Sequence, residues 1–336
     1  MANDTDAFKS LAGSRILITG GAGMIGSTVA RLAAAAGASI TILMRPGANL
    51  FNLDGVPYKP VIGDIRDLAL VSEAVQGQDV IFNLAAQASY VDSNLDPFTD
   101  LDINCKGHLT VLEACLRHNP KARLVFSSSR FVYGDIEYNP VDENHPYNCL
   151  SIYGVHKLNG EKYYHFYERA HGIESVIFRI ANPYGPRQQM RHGKYGIVNW
   201  FVRQAFEGKP LTIYGEGLQK RDYIYVEDLA RAMLMGAAAR RIKFDVFNIG
   251  SGTGLAFKDM AATVARAAGG ARLDFVGWPK DRYFVETGDY ITDITKIKRE
   301  LGWEPRISFE DGVTRTVAYY RAHAQRYGFS PPAGIS

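Results

Sequence analysis

A tyrosine and a lysine that could exchange a proton lie four residues apart in the segment SIYGVHK, residues 151–157. Residues at i and i+4 share one face of a helix, so Tyr153 and Lys157 would lie side by side. A lysine ammonium beside a phenol favours the phenolate and lowers the pKa of the tyrosine. A fall of about two or three pH units would let the phenol act as a general base near neutral pH. The pair could also be ordinary helix surface, so the rest of the chain must decide.

A glycine-rich turn in ILITGGAGMIGSTVA is typical of a phosphate-binding loop. Gly21, Gly23 and Gly26 fit G-x-G-x-x-G directly after a β-branched run and at the start of a helical pattern. Glycine lets a pyrophosphate approach the backbone, and the free N–H groups of the helix meet its charge. We expect a dinucleotide here, in contact with Gly20, Gly23, Met24, Ile25 and Gly26.

Two further positions bear on which dinucleotide binds. NAD sites of this kind usually have an acid at the end of the second strand, where this chain has Met44 and Arg45. A cation there suits the 2′-phosphate of NADP, although Arg45 could equally stack on the adenine or face water. NAD and NADP both stay open. Asp64, in GDIRD after a third strand, could accept a hydrogen bond from the adenine amino group.

A bound nicotinamide would give the tyrosine and lysine a chemical task. Its positive charge would lower the pKa of Tyr153 further, and a hydroxyl from FSSS, residues 126–129, could hold a substrate oxygen. Together these groups could remove the proton from an alcohol that is being oxidised.

The elements that must position these residues alternate along the chain. Short β-branched runs at residues 15–20, 39–44, 79–85, 123–129, 175–181 and 245–251 read as buried strands, and most are separated by helical apolar spacing. This order predicts an α/β fold, a Rossmann-type doubly wound parallel sheet with helices on both faces.

The composition changes after ANPYGPRQQ, residues 181–189, and becomes richer in Pro, Gly and aromatic residues. We predict a smaller, discontinuous α+β lobe for substrate binding, formed by residues 182–221 and 252–330. The Rossmann-type domain would comprise residues 13–181 and 222–251. Ligands bind beyond the carboxyl ends of parallel strands, so the cleft should lie between sheet and lobe.

Charge and hydrophobicity exclude other classes of protein. The chain has 336 residues, 38 Lys plus Arg against 35 Asp plus Glu, and 46% apolar residues, so we expect no nucleic-acid partner. No apolar run approaches the roughly 20 residues that span a bilayer, and MANDTDAFKS does not resemble a signal peptide. Three cysteines without metal-type spacing favour a reduced, cytoplasmic protein with no metal site.

Six segments in order resemble the extended short-chain dehydrogenases/reductases that modify nucleotide sugars. They are TGGAGMIG, GDIRD, NLAAQAS, FSSSRFVYG, YGVHK and RDYIYVEDLA, and the resemblance covers residues 14–320. It implies an NAD(P)-dependent nucleotide-sugar epimerase or dehydratase, similar to UDP-glucose 4-epimerase, that supplies sugars for surface polysaccharides or glycoconjugates. The family also implies a homodimer.

The resemblance assigns expected roles by position. Ser129 and Tyr153 would be catalytic, and Lys157 would grip the nicotinamide ribose. Asn104 would support the catalytic region, while Ser127 and Ser128 would only pack. The remaining cofactor contacts would be Arg45, Asp64, Ile65, Leu84, Ala85 and Ala86. The nucleotide-diphosphate sugar would contact Ser129, Arg130, Asn182, Val198, Thr212, Tyr214, Arg221 and Arg282.

The residues after Ser129 indicate which reaction follows oxidation at C4. Dehydratases of this family typically have an acid there to protonate the departing 6-hydroxyl, whereas this chain has Arg130 and Phe131. We therefore predict a 4-epimerase, with a 4,6-dehydratase or an NADPH-dependent 4-keto-sugar reductase as alternatives. An inert cofactor sensor would not need the base. Arg130 could meet a sugar carboxylate, but we prefer an ion pair with Asp135.

Overall fold

The computed structural model describes residues 6–279 and 286–329 of the chain. The strands are β1 (Arg15–Thr19), β2 (Ser39–Met44), β3 (Lys59–Ile62), β4 (Val80–Asn83), β5 (Arg123–Ser129), β6 (Ser175–Ile180), β7 (Asn182–Tyr184), β8 (Leu211–Tyr214), β9 (Lys220–Tyr225), β10 (Phe244–Ile249), β11 (Gly254–Ala256) and β12 (Leu273–Val276).

The helices are α1 (Met24–Ala35), α2 (Leu68–Val75), α3 (Tyr90–Leu95), α4 (Pro97–Leu101), α5 (Gly107–His118), α6 (Ile152–His171), α7 (Ile197–Phe206), α8 (Val226–Ala238), α9 (Phe257–Ala268), α10 (Thr295–Leu301) and α11 (Phe309–His323). Short 3₁₀ turns occupy Asp6–Leu11, Leu50–Leu53, Arg130–Val132 and Ala324–Tyr327, and a π turn spans Asp102–Lys106. Within the described residues, no helix is both long and apolar enough to cross a membrane.

The main sheet of the described chain has seven strands in the order β10-β6-β5-β4-β1-β2-β3. Every pair of neighbours is parallel. Alternate side chains of β1 point to opposite faces, since Ile16 and Ile18 pack in one buried cluster with α1 and α8, and Leu17 packs in another with α2, α5 and α6. The predicted Rossmann-type doubly wound fold is confirmed.

The six runs predicted as strands form β1, β2, β4, β5, β6 and β10. All residues of β4, β5 and β6 are buried, which explains why three apolar residues follow one another in each strand instead of alternating with polar ones. β3 lies at the sheet edge, is largely exposed and contains Pro60, as edge strands permit.

The smaller lobe is built on different sheets. β11, β9 and β7 form a three-stranded sheet in the described chain, and β12 pairs with β8. They share a buried cluster with α7, α9 and α11. Because β9 starts before residue 222, the predicted boundary at 221/222 falls inside a strand of the small sheet. The α8 helix and β10 after it pack with the main sheet. The domain limits stay predictions.

Candidate active site

A cavity of about 740 Å³ lies where the carboxyl ends of the main sheet face the smaller lobe. Its lining includes most of the predicted site: Gly20, Gly23, Met24, Ile25, Gly26, Leu84, Ala86, Ser129, Arg130, Tyr153, Lys157, Asn182, Val198, Thr212, Tyr214 and Arg221. Arg45, Asp64, Ile65 and Ala85 do not line it. Arg282 lies outside the described residues.

The glycine turn after β1 leaves room for a phosphate. Gly20 has a φ of +69°, and a Cβ there would lie 3.0 Å from the Ala85 backbone. A Cβ on Gly26 would lie 2.5 Å from the Gly20 carbonyl oxygen, so only glycine fits. The α1 helix begins after Gly23 without a side-chain cap, which leaves its first N–H groups open to an anion. These features fit the pyrophosphate of a dinucleotide.

The loop after β4 forms the next wall of the cavity. The Thr19 hydroxyl accepts hydrogen bonds from the N–H groups of Leu84 and Ala85, at 3.0 and 3.1 Å. Asn104 is buried in the π turn and pairs with the main chain of Gln87, accepting at 3.1 Å and donating at 2.9 Å. Asn104 therefore holds this loop in place, as a supporting residue would.

The predicted adenine end lies beyond the cavity. Arg45 follows β2 and is exposed. Asp64 accepts two hydrogen bonds of 2.9 Å from the Arg66 guanidinium, which holds the pKa of that carboxyl below its usual value. Ile65 is buried and packs toward Gly107, so its side chain belongs to the core. Contacts of Arg45, Asp64, Ile65 and Ala85 with a cofactor stay predictions.

The three predicted catalytic residues come together in the cavity. Ser129 ends β5, and Tyr153 and Lys157 lie in the first turns of α6. The Ser151 side chain caps this helix by accepting from the Gly154 N–H at 3.1 Å. The Lys157 ammonium donates to the Ser127 carbonyl oxygen at 2.8 Å and lies 5.8 Å from the centroid of the Tyr153 ring.

The expected direction of the tyrosine pKa is wrong for the protein groups alone. Burial raises the pKa of Tyr153, and a hydrogen bond with Ser129 only partly opposes this rise. Burial also lowers the pKa of Lys157 to about 8. Both groups lose solvation together, and the ammonium donates to a carbonyl rather than to the phenol. Ionising the phenol therefore requires a further positive charge in the cavity.

The other serines of FSSS have defined partners. The Ser128 hydroxyl donates a hydrogen bond to Glu161, and the Ser127 carbonyl oxygen accepts one from the Lys157 ammonium. The packing role expected for Ser127 and Ser128 therefore includes fixing the lysine and a buried carboxylate. Both residues also line the cavity.

Arg130 turns into the cavity rather than toward Asp135. It is only 6% exposed, and its Nε and Nη1 donate to Asn182 Oδ1 at 3.3 Å and Thr287 Oγ1 at 3.2 Å. Asp135 is exposed, and no described carboxylate forms an ion pair with Arg130. The expected Asp135 ion pair is wrong because Arg130 begins a tight turn at the carboxyl end of β5. Burial, and to a smaller extent the positive charge of Arg221, lowers the pKa of Arg130 to about 10.

Arg221 lies on the lobe side of the same cavity. It forms an ion pair with Glu286 and donates to the Lys220 carbonyl oxygen at 2.8 Å. Glu286 is the one carboxylate among the described residues that line the cavity. A negative group that enters would therefore meet two arginines and one paired acid.

Two lining residues, Trp278 and Lys194, were not predicted from the sequence. Trp278 lies 5.6 Å from Tyr214, centroid to centroid, and adds an aromatic wall beside Thr212. Lys194 reaches the cavity from a loop and bonds to Asp92 at 2.6 Å. A tryptophan in a proline-containing loop could have suggested base stacking, but Lys194 lies in no recognisable motif.

Residues 16–250 match the NAD dependent epimerase/dehydratase family, and the chain belongs to this family. It is therefore an NAD(P)-binding enzyme of the extended short-chain dehydrogenase type, as the resemblance implied. The chain is 34% identical over 308 residues to a putative UDP-glucose 4-epimerase of Methanocaldococcus jannaschii, covering 91% of this chain and 98% of that one.

Other relatives differ in the reaction that their names give. The chain is 33% identical over 327 residues to a dTDP-glucose 4,6-dehydratase of Streptomyces niveus, covering 91% of this chain and 93% of that one. A Thermus thermophilus UDP-glucose 4-epimerase, solved in complex with NAD, is 30% identical with a TM-score of 0.79 and covers 91% of this chain and 99% of that one. The comparisons thus establish a nucleotide-sugar epimerase/dehydratase.

Proposed function

We propose that the chain is a nucleotide-sugar 4-epimerase that holds NAD or NADP tightly and oxidises the sugar transiently at C4. One observation carries this proposal: Arg130 and Phe131 follow Ser129, and Glu286, the one described lining carboxylate, is paired with Arg221. Loss of water from the sugar requires an acid for the departing hydroxyl. Epimerisation needs no acid or base beyond the one that opens the reaction.

Tyr153 is the proposed base, and Ser129 the residue that orients the substrate. With Ser129 holding the C4 oxygen, Tyr153 takes the hydroxyl proton and later returns it to the other epimer. The nicotinamide would be the oxidant for C4. Its positive charge would lower the pKa of Tyr153, which the protein groups alone raise.

The cofactor would lie along the glycine turn and the loop after β4. Gly20, Gly23 and Gly26 leave space for its phosphates. Lys157 lies close enough to Tyr153 for both side chains to contact the nicotinamide ribose. Arg45 has no ion-pair partner among the described residues, which keeps NADP open beside NAD. Asp64, Ile65, Leu84, Ala85 and Ala86 complete the proposed cofactor contacts.

The substrate would span the cavity from Ser129 to the lobe. Arg221 binds its diphosphate, because a guanidinium fork matches phosphate oxygens. Thr212, Tyr214 and Trp278 form the wall for its base. Asn182 and Val198 lie between these ends and would contact the phosphate and the sugar.

A 4,6-dehydratase is the strongest alternative because named dehydratases are about as similar to this chain as named epimerases. The missing acid beside Ser129 argues against it. A C4 reductase is favoured only by Arg45, because a cation at that position suits the 2′-phosphate of NADPH. A cofactor sensor would not require Ser129, Tyr153 and Lys157 together in one cavity.

Product analysis separates these reactions. The purified protein is incubated with UDP-, dTDP-, GDP- and CDP-sugars, both hexoses and hexuronates, without added cofactor, and the products are identified by NMR. A C4 epimer from at least one of them is expected. A 4-keto-6-deoxy sugar would show dehydration, and turnover only with stoichiometric NADPH would show reduction; either result contradicts the epimerase.

We also propose a cytoplasmic homodimer. Phe98 and Val155, on α4 and α6, are 79% and 46% exposed on neighbouring helices, and a second copy could cover them. Light scattering of the wild type and of a Phe98→Glu variant tests this: a dimer that the substitution dissociates is expected, and a monomeric wild type would contradict it.

A further inference from the structure

We infer that the sugar bound by this site carries a carboxylate at C6, and that Arg130 binds it. The inference deepens the proposed function and rests on it. The substrate class would then be nucleotide-linked hexuronates rather than neutral hexoses.

Arg130 is a buried cation with incomplete compensation. Its partners among residues 6–279 and 286–329 are neutral: the amide oxygen of Asn182, the hydroxyl of Thr287, and the rings of Phe131 and Tyr290, which lie 4.7 and 5.1 Å from the guanidinium carbon. A buried charge that lacks an opposite charge is unstable relative to a paired one. An anion entering the cavity would supply that opposite charge.

Among the residues that the structure describes, the charged groups around Arg130 do not already supply it. Arg221 is a second cation, and its proximity contributes to the lowered pKa of Arg130. Glu286 is the described carboxylate whose charge acts on Arg130, and it is ion-paired with Arg221. Two arginines and one acid leave an excess positive charge at Arg130.

The position of Arg130 selects the group it would meet. It follows Ser129 directly in the chain, and Ser129 is the residue proposed to hold the C4 oxygen. In a hexopyranose the substituent on C5 adjoins C4, whereas C1, which carries the diphosphate, lies across the ring. The anion next to the reacting carbon is therefore the C6 carboxylate.

Arg221 offers a separate place for the diphosphate. It extends from β9 in the lobe, and the residues of the proposed nucleotide wall, Thr212, Tyr214 and Trp278, line the same cavity. A hexuronate nucleotide has two separated anions, and the cavity has two arginines from two different elements. A neutral 6-hydroxyl would leave Arg130 uncompensated, which would favour the uronate over the hexose.

The test uses equilibrium binding, so that it does not depend on turnover. In a Tyr153→Phe background, calorimetry measures the dissociation constants of UDP-glucuronate, UDP-glucose and UDP, or of the same three forms of whichever nucleotide the epimerase assay selects. The variants are Arg130→Met, which keeps the length of the side chain, and Arg130→Lys, which keeps its charge. Arg299→Met, at an exposed position, is the matched control.

Arg130→Met is expected to weaken uronate binding roughly 10- to 100-fold, as loss of a charge-assisted hydrogen bond does, while the hexose and the free diphosphate change by less than about threefold. Arg130→Lys should retain part of the uronate affinity. An equal loss for all three ligands would place Arg130 on the diphosphate and overturn the inference. Equal affinities of the unsubstituted Arg130 protein for uronate and hexose would overturn it even if Arg130→Met did not fold.

Failure of this inference is distinguishable from failure of the proposed function. Epimerisation of a neutral hexose, with no preference for uronate, would reject the uronate and leave the epimerase standing. Uronate binding that depends on Arg130, with no C4 epimer from any substrate, would reject the epimerase and leave the uronate site standing.

Discussion

Two buried arginines at the carboxyl end of the main sheet have opposite surroundings. Arg179, on β6, is 2% exposed and donates to Glu161 at 2.7 Å and to the Tyr133 hydroxyl at 2.9 Å. Burial opposes its charge, but Glu161 outweighs burial and raises the pKa of Arg179. Arg130 is 6% exposed, its partners in the described part of the chain are neutral, and burial lowers its pKa to about 10.

The difference separates residues that hold the fold from residues that await a ligand. The charge of Arg179 is balanced by Glu161 within the protein, so Arg179 has no unpaired charge to offer a substrate. Arg130, Ser129 and Tyr153 face the cavity, where the missing partners would come from the substrate and cofactor. Substitutions in the two regions should therefore affect different quantities.

The largest expected effect is on chemistry in the cavity. Tyr153→Phe should lower kcat by about 10²- to 10⁴-fold, because the substrate proton then has no acceptor, and should leave the melting temperature nearly unchanged. Tyr163→Phe on the same helix is the control and should retain activity. Normal turnover by Tyr153→Phe would reject the assigned base.

The next effect is on stability in the sheet. Glu161→Gln should lower the free energy of unfolding by about 3–5 kcal/mol, because it leaves the Arg179 charge buried and unpaired. Denaturant unfolding measures this. Glu300→Gln, at an exposed ion pair, should cost far less than Glu161→Gln. Equal costs would mean that the buried pair does not stabilise the fold.

Lys157 should make stability depend on pH. Its pKa falls from 10.5 to about 8 on folding, so between these values the unfolded chain binds more protons and stability rises with pH. Relative to Lys157→Met, the wild type without nucleotide should gain up to roughly 3 kcal/mol from pH 8 to 10.5. Unfolding curves at both pH values measure it; no gain, or a loss, would contradict the buried, destabilised ammonium.

The smallest effect completes the comparison of the arginines. Arg130→Met should change the free energy of unfolding by no more than about 1 kcal/mol, since no buried carboxylate is left unpaired. Chemical denaturation without substrate measures it. A loss as large as that of Glu161→Gln would show that Arg130 is part of the fold.

The sequence predicts the framework of the site because its signals are local. Buried parallel strands read as β-branched runs, the glycine turn follows one of them, and Tyr153 and Lys157 are one helical turn apart. The surroundings of Arg130 were not predictable in this way. Its partners Asn182 and Thr287 lie 52 and 157 positions away in the chain.

The pKa values of Tyr153 and Lys157 could not be predicted from the sequence, because they also depend on residues distant in the chain. The i, i+4 spacing brings Lys157 close to Tyr153, but burial by residues from other elements sets the pKa of both groups. Neither that burial nor the walls formed by Trp278 and Lys194 can be read from spacing along one helix.

The central claim is that C4 is oxidised and then reduced within one active site. The most direct measurement follows deuterium from a C4-deuterated nucleotide sugar, on the nucleotide that gives turnover, with no added cofactor. The account predicts a C4 epimer that keeps its deuterium at C4. Deuterium moved to C6 in a 4-keto-6-deoxy product, or lost to solvent, would contradict it.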